Sequence, residues 1–469
     1  DKFSTEVFNK YLRSLDTEKK FFLKSDVAKL MPLSTHIDDE LKGAPIDCFR
    51  SINTLIKQRV AEAASIYPEI LSKPFDFTVN EKVTLDPEKV DFPADENARK
   101  EAWRKVLKYR TLEKLTDLQE LLDKEKNKDS IKTDVQLEAA ARVKVKQLYD
   151  RYFERLKNRQ NDNDRFNLYV NAITTTMDPH TDYFPPDEKR AFEEQMAGKF
   201  FGIGAQLKEE GDKIKVVSIV TGSPSWKQGK LKANDIIQKV AQGNSEPVDI
   251  TGYPVEDAVK IIRGKKGTPV KLTVKSVDGT VKDITIIRDE IITEETFAKS
   301  AIINGQHKIG YIYLPEFYAD FNDRNGARSA EDVAKEVAKL KAENVEGIIL
   351  DLRFNGGGSL QDVVQMAGLF IPEGPVVQVR SRGGDAVVLR DRDKNVQYDG
   401  PLAIMVNEYS ASASEIMAAA MQDYKRAVII GSTQTFGKGT VQRLLNLDDF
   451  YPVKDGGSLG ALKLTQQKF

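Results

Sequence analysis

The sequence is short of the residues on which many protein chemistries rest. Cys48 is the only cysteine, so no intramolecular disulfide and no cysteine-ligated zinc finger can form. Its only histidines are His36, His180 and His307, so residue 308 onward has none. A nucleophile activated from within that region cannot use an imidazole base. No apolar run approaches the roughly 18 residues needed to span a bilayer. The formal net charge is -1, which removes any bulk electrostatic argument for nucleic-acid or membrane binding. An initial Met and a signal-peptide pattern are also missing, which predicts a trimmed leader. The last residues, Gln466-Gln-Lys-Phe469, read as an interrupted strand, so the native protein is expected to continue.

What remains is globular: 40% hydrophobic and 30% charged residues over 469 positions, too many for one core and enough for two to four domains. Residues 1–72 and 97–195 carry apolar residues at helical spacing, separated by a proline-bearing connector at 73–96. Val143, Leu148, Tyr152 and Leu156 predict one long amphipathic helix over Ala139–Ile173, ended by the prolines of Asp178-Pro-His-Thr-Asp-Tyr-Phe-Pro-Pro186. From residue 197 the texture turns to alternating, branched strands at 213–220, 270–275 and 281–287, the last two joined at Asp278-Gly279 in a tight hairpin. A short helix at 254–262 precedes them. From Lys308 strands and helices alternate, predicting an α/β layer of largely parallel strands. In such sheets, sites collect beyond the carboxyl ends of the strands.

Three motifs fall there. Asp351-Leu-Arg-Phe-Asn-Gly-Gly-Gly358 ends a strand in glycines whose amides can face a ligand. It admits an oxyanion hole, a phosphate cradle or a plain turn. Ser410-Ala-Ser-Ala-Ser-Glu415 opens a helix. Ser412 with Glu415 reads as a capping box, yet strand, tight turn and helix also present a serine nucleophile, with the next amide, that of Ala413, facing the oxyanion. Composition does not choose among Ser410, Ser412 and Ser414. In Thr435-Phe-Gly-Lys-Gly-Thr-Val-Gln442, Lys438 is the natural base in a region without histidine, given burial that keeps it neutral. A nucleotide-binding reading of Gly431 to Lys438 fails: five residues separate the glycines and Gly439 replaces the metal-binding hydroxyl.

Taken together, these motifs resemble the C-terminal processing peptidases, or tail-specific proteases, of the serine–lysine type. Asp178-Pro-His-Thr-Asp-Tyr, Phe201-Gly-Ile-Gly-Ala205, Gly368-Leu-Phe-Ile-Pro372 and Ala418-Ala-Ala-Met-Gln-Asp423 extend the likeness over nearly the whole chain. It is greatest to the large periplasmic members of bacteria. The resemblance implies a multidomain α+β protein: a helical N-terminal region (1–196), a PDZ domain (197–290) and an α/β crotonase- or Clp-protease-like core (291–469). It implies Ser412 as nucleophile, Lys438 as base, and Gly358 and Ala413 as oxyanion donors. Gln442 would position the lysine, and Asp423 matches an aspartate important in the nearest members.

The resemblance further implies a PDZ carboxylate loop of Phe201, Gly202, Ile203, Gly204 and Ala205, with Val255 and Val259 lining the groove. His180 matches a histidine in a structural segment, with a packing or capping role. Expected partners are protein substrates with apolar C-termini, with room for an adaptor lipoprotein. Neither nucleic acid, metal nor other cofactor is implied, and the expected compartment is a Gram-negative periplasm, with inner-membrane association an option. The pattern departs from the family's at two places. Asn234-Asp235 stands for the usual Gly-Asp, and one extra residue near Ser432–Thr435 lengthens the Ser412–Lys438 spacing. Two rival classes are a non-catalytic PDZ adaptor and a nucleotide-dependent machine.

Overall fold

The structure is a computed structural model that describes residues 1–124, 133–159, 161–211, 213–292, 294–323, 325–451, 453 and 457–469. The chain divides into two compact units, residues 1–183 and 184–469.

The first unit is helical, with its longest helices at Lys2–Leu15, Asp47–Leu71, Glu96–Lys124, Asp134–Arg159 and Asp162–Met177. Phe8, Ile52, Trp103 and Val145 are buried together in its core, and Tyr67 stacks on Phe153 with ring centroids 4.9 Å apart. Arg59 joins the helices electrostatically, its guanidinium donating twice to Asp26 at 2.7 Å. The single helix expected over Ala139–Ile173 is instead two. The Asn161 side chain accepts from the Asp164 N–H at 3.0 Å, and the Asp164 carboxylate accepts from the Asn161 N–H at 3.1 Å. That reciprocal cap starts a new helix inside a continuous apolar pattern.

In the second unit a six-stranded antiparallel sheet comes first. Its order is Ala205–Glu210, Lys213–Ile219, Ile236–Gln242, Pro269–Lys275 and Val281–Ile287, with Val248–Asp249 paired to Ile236–Gln242. The turn between the last two strands is closed by the Ser276 N–H on the Thr280 carbonyl, with Gly279 at φ +87°. Alternate residues such as Val270, Leu272 and Val274 face the core, against the helix Val255–Ile262. Buried Arg288 fastens that helix to the sheet, donating to the Ile262 carbonyl at 2.8 Å and to Gln242 at 2.6 Å.

The layer that carries the motifs is a five-stranded sheet, ordered Lys299–Asn304, Lys308–Tyr313, Gly347–Asp351, Leu402–Val406 and Val428–Gly431. The last four strands are mutually parallel. Their register aligns Ile312, Leu350, Ile404 and Ile429 in one apolar row. Helices Ser329–Ala342, Leu360–Gly368 and Ala413–Asp423 contribute Val337, Met366 and Met417 to the same core. A separate antiparallel sheet holds Thr440–Asn446, Ala461–Lys468, Gly374–Ser381 and Ala386–Asp391. It fixes the chain immediately after Lys438.

Leu350 is fully buried in the middle of the parallel sheet, whereas Val428 on the edge strand is 65% exposed. Leu350→Ala should cost about 2–5 kcal/mol of stability in chemical denaturation. Val428→Ala should stay within about 0.5 kcal/mol. Equal effects would contradict the assigned strand order.

Candidate active site

The strand Gly347–Asp351 delivers the glycine turn, and the strand Leu402–Val406 delivers the serine turn beside it. Asn355, fully buried, joins the two. Its side chain donates to the Leu314 carbonyl and accepts from the Gly357 N–H, both at 2.9 Å. Its own carbonyl accepts from the Ala411 N–H at 3.0 Å and the Ser414 hydroxyl at 2.9 Å. Gly357, at φ +105°, is packed so closely that a Cβ there would lie 2.8 Å from the Ser412 Cβ. Gly358, at φ +137°, has no room either: a Cβ would sit 2.2 Å from the Phe317 carbonyl oxygen. Side chains larger than hydrogen are therefore excluded from both positions by backbone conformation and by space.

The three serines separate by what their hydroxyls do. Ser410 is buried, donates to the Leu352 carbonyl at 2.8 Å and accepts from the Asn407 N–H at 2.9 Å. Ser414, also buried, donates to Asn355 as above. The half-buried Ser412 hydroxyl donates to no acceptor among the described residues. Its backbone sits at φ +56°, ψ −111°, a region that costs a non-glycine residue about 1–3 kcal/mol. An ordinary helix cap lies in the extended region, so this geometry belongs to a tight, strained turn. The N–H groups of Gly358 and Ala413 bond to no acceptor among the described residues, leaving two donors beside the hydroxyl-bearing turn.

Glu415 was legible as a cap, and it is more than that. Its carboxylate accepts from the Ser412 N–H at 2.8 Å, which is the expected reciprocal arm. The same carboxylate accepts from the Thr435 hydroxyl at 2.7 Å, the Gly437 N–H at 2.6 Å and the Lys438 N–H at 2.9 Å. One side chain thus holds the backbones of the serine and the lysine loop together. Nothing in the local sequence signals the second set of bonds. Lys438 is half-buried, and its ammonium pKa is pulled below the ordinary lysine value, first by burial and then by the positive charge of Lys463. The loop Ser432–Thr435, where the resemblance places an extra residue, is pinned at Ser432 by Glu408 at 2.7 Å and at Thr435 by Glu415.

Other candidates are placed differently. Gln442 lies on the strand after the lysine, its amide donating to Thr440 at 2.9 Å and Thr465 at 3.1 Å. Asp423 ends the helix that Ser412 begins, about 15 Å along it, and is exposed. The structure does not bring it to the serine. His180 is exposed, with its N–H on the Asp178 carboxylate at 3.2 Å.

In the six-stranded domain, Gly202, Ile203, Gly204, Ala205 and Val259 line one cavity of about 510 Å³, joined by Ile262 and Arg263. Gly204, at φ +73°, is required there, since a Cβ would meet Ser223 at 2.1 Å. Two expected members fall outside. Val255 packs on the domain core, and Phe201 lines a different cleft with Glu194, Lys199 and Asp320.

Comparison with known proteins follows this geometry. Residues 1–187 match the tail specific protease N-terminal domain, residues 193–275 the PDZ domain, and residues 308–469 peptidase family S41. The chain is 36% identical to the tail-specific protease of Haemophilus influenzae, over 100% of this chain and 64% of that protein. It is 35% identical to the carboxy-terminal processing protease CtpA of Bacillus subtilis, over 60% of this chain and 56% of that protein. It thus spans less than two thirds of either relative. Among solved structures, the PDZ domain of a carboxy-terminal protease from Vibrio cholerae, in complex with peptide, is 35% identical. That match covers 20% of this chain and 99% of that one, with a TM-score of 0.20. Residues 1–187 and 308–469 thus carry a tail specific protease N-terminal domain and a peptidase family S41 domain, and along its whole length the chain is similar to a tail-specific protease.

Proposed function

We propose that this chain is a serine endopeptidase acting on proteins whose apolar C-terminal tails it recognises through its PDZ domain. Ser412 attacks a peptide carbonyl while neutral Lys438 takes the hydroxyl proton. The Gly358 and Ala413 amides receive the charge that develops on the carbonyl oxygen. Lys438 then passes its proton to the departing amine, and water hydrolyses the acyl-enzyme by the reverse exchange. The observation that carries this reading is the contrast among the serines. Two are consumed as buried staples, and the third holds an undonated hydroxyl on a strained turn beside two unmet amides.

The groove at Gly202–Ala205 suits a chain end, whose carboxylate can meet loop amides while an apolar side chain enters beside Val259 and Ile262. No helix among the described residues is long and apolar enough to cross a membrane. The reading includes a periplasmic setting and leaves a place for an adaptor lipoprotein. The deciding experiment incubates the chain with a protein ending in an apolar tail, with and without ATP and chelator. Tail-dependent cleavage is expected in every condition. Tail binding without cleavage would favour an adaptor instead.

The serines should divide by readout. Ser412→Ala should lower the cleavage rate by at least ~10³-fold while stability changes by no more than about 0.5 kcal/mol. Ser410→Ala and Ser414→Ala should each destabilise by about 1–3 kcal/mol, because a buried carbonyl loses its donor. Cleavage that survives both Ser412→Ala and Lys438→Ala would refute the dyad.

The pH profile supplies a second check. Only neutral Lys438 accepts a proton, so the rate should rise with pH through its pKa, below that of an ordinary lysine. Lys463→Met removes a neighbouring positive charge, raises that pKa and should move the rising limb to higher pH. A limb that moves down instead would contradict the assignment.

For Glu415→Gln, one amide replaces a carboxylate that accepts from four donors. Loss of alignment between serine and lysine should lower kcat by about 10²-fold. KM should change far less, since the carboxylate touches the two loops and not the substrate. An unchanged kcat would show that the loops hold each other without it.

A further inference from the structure

Each of the three motifs has one exposed aromatic residue within it or directly before it. Phe354 precedes Gly358 by four positions, Tyr409 precedes Ser412 by three, and Phe436 precedes Lys438 by two. Their exposures are 69%, 56% and 61%. Hydrogen bonds bring the three stretches of backbone together. The Asn407 side chain accepts from the Phe354 N–H at 2.9 Å and from the Tyr409 N–H at 3.2 Å. The Phe436 N–H donates to the Ser410 carbonyl at 3.1 Å, two residues from the nucleophile. Phe354 and Tyr409 stack on each other, centroids 5.5 Å apart and planes 18° apart. Among the described residues this is the one ring pair with both members more than half exposed.

Burial in the core does not account for these rings, and backbone preference opposes one of them. Phe354 stands at φ +62°, where glycine or asparagine fits and a bulky side chain is strained. A strained residue held in a site is a reason to look for its use there. Stacked side by side, the rings offer a flat apolar face at the turn that bears Ser412, where an extended substrate chain must pass.

Resting on the peptidase reading above, we propose that Phe354 and Tyr409, with Phe436, form an apolar lip that selects the substrate side chain next to the scissile bond. The occupant is a large apolar side chain, aliphatic or aromatic, laid on the ring faces as the chain is drawn across Ser412. Apolar contact of this kind distinguishes side chains by about 10-fold or more. The lip is separate from the groove at Gly202–Ala205, so the tail and the cut would be chosen by different surfaces.

The test uses the full chain and one tailed protein substrate whose cleavage region is varied, with products mapped by mass spectrometry. The parent should cut beside large apolar residues in preference to alanine. Phe354→Asn suits the left-handed backbone, so it should fold at least as firmly. In it, and in Tyr409→Ser, the ratio of kcat/KM for apolar-flanked over alanine-flanked bonds should fall about 10-fold. Phe354→Tyr should restore the parent ratio. An unchanged ratio in both variants overturns the lip, as does a parent that prefers basic residues or has no preference. A parent that cleaves no bond at all, in tailed or untailed substrates, refutes the peptidase reading itself and the lip with it.

Discussion

A single carboxylate makes four of the bonds that hold this site together. Glu415 accepts from the serine's own N–H and from three donors of the lysine loop, adding to the Phe436 N–H bond on the Ser410 carbonyl that also joins the two segments. Hydrogen bonds to a charged acceptor are short and strong, and four of them converge on this one group. The lysine is thereby placed through its main chain, which leaves its side chain free to be tuned by burial and by Lys463. Asn355 plays the matching part on the other side, locking the glycine turn to the serine turn. The groups proposed to act, Ser412 and Lys438, are half-buried, and their turns are held by buried Asn355 and half-buried Glu415.

Strain is distributed to the same end. Ser412 and Phe354 both hold left-handed backbone, and Gly357 and Gly358 hold it where no Cβ would fit. Such turns persist because the surrounding bonds over-determine them. The parallel sheet supplies that surrounding: its central strands are buried on both faces, and their carboxyl ends converge on the two turns.

Much of this was legible in the sequence because it depends on local rules. Alternation, glycines, and strand–helix order marked the sheet layer from Lys308 closely, and the absence of histidine after His307 directed attention to Lys438. Three features lay beyond those local rules, for physical reasons. The helix break before Asn161 rests on a reciprocal cap that an unbroken apolar pattern hides. The second role of Glu415 depends on residues more than twenty positions away, brought near by folding alone. The choice among three serines depends on which hydroxyls meet a carbonyl in three dimensions, and composition is blind to that.

The strand that follows Lys438 gives the site a history as well as a geometry. Thr440–Asn446 is paired along its length with Ala461–Lys468, and the Phe469 N–H returns to the Gly439 carbonyl. During synthesis the glycine and serine turns, complete by residue 423, can therefore form while the lysine still lacks its supporting partner. On the proposed dyad, a growing chain would hold its serine before it holds its base, and activity would wait for the late strand to dock. The order of the strands would then keep the proposed peptidase inactive until the strand Ala461–Lys468 has been made.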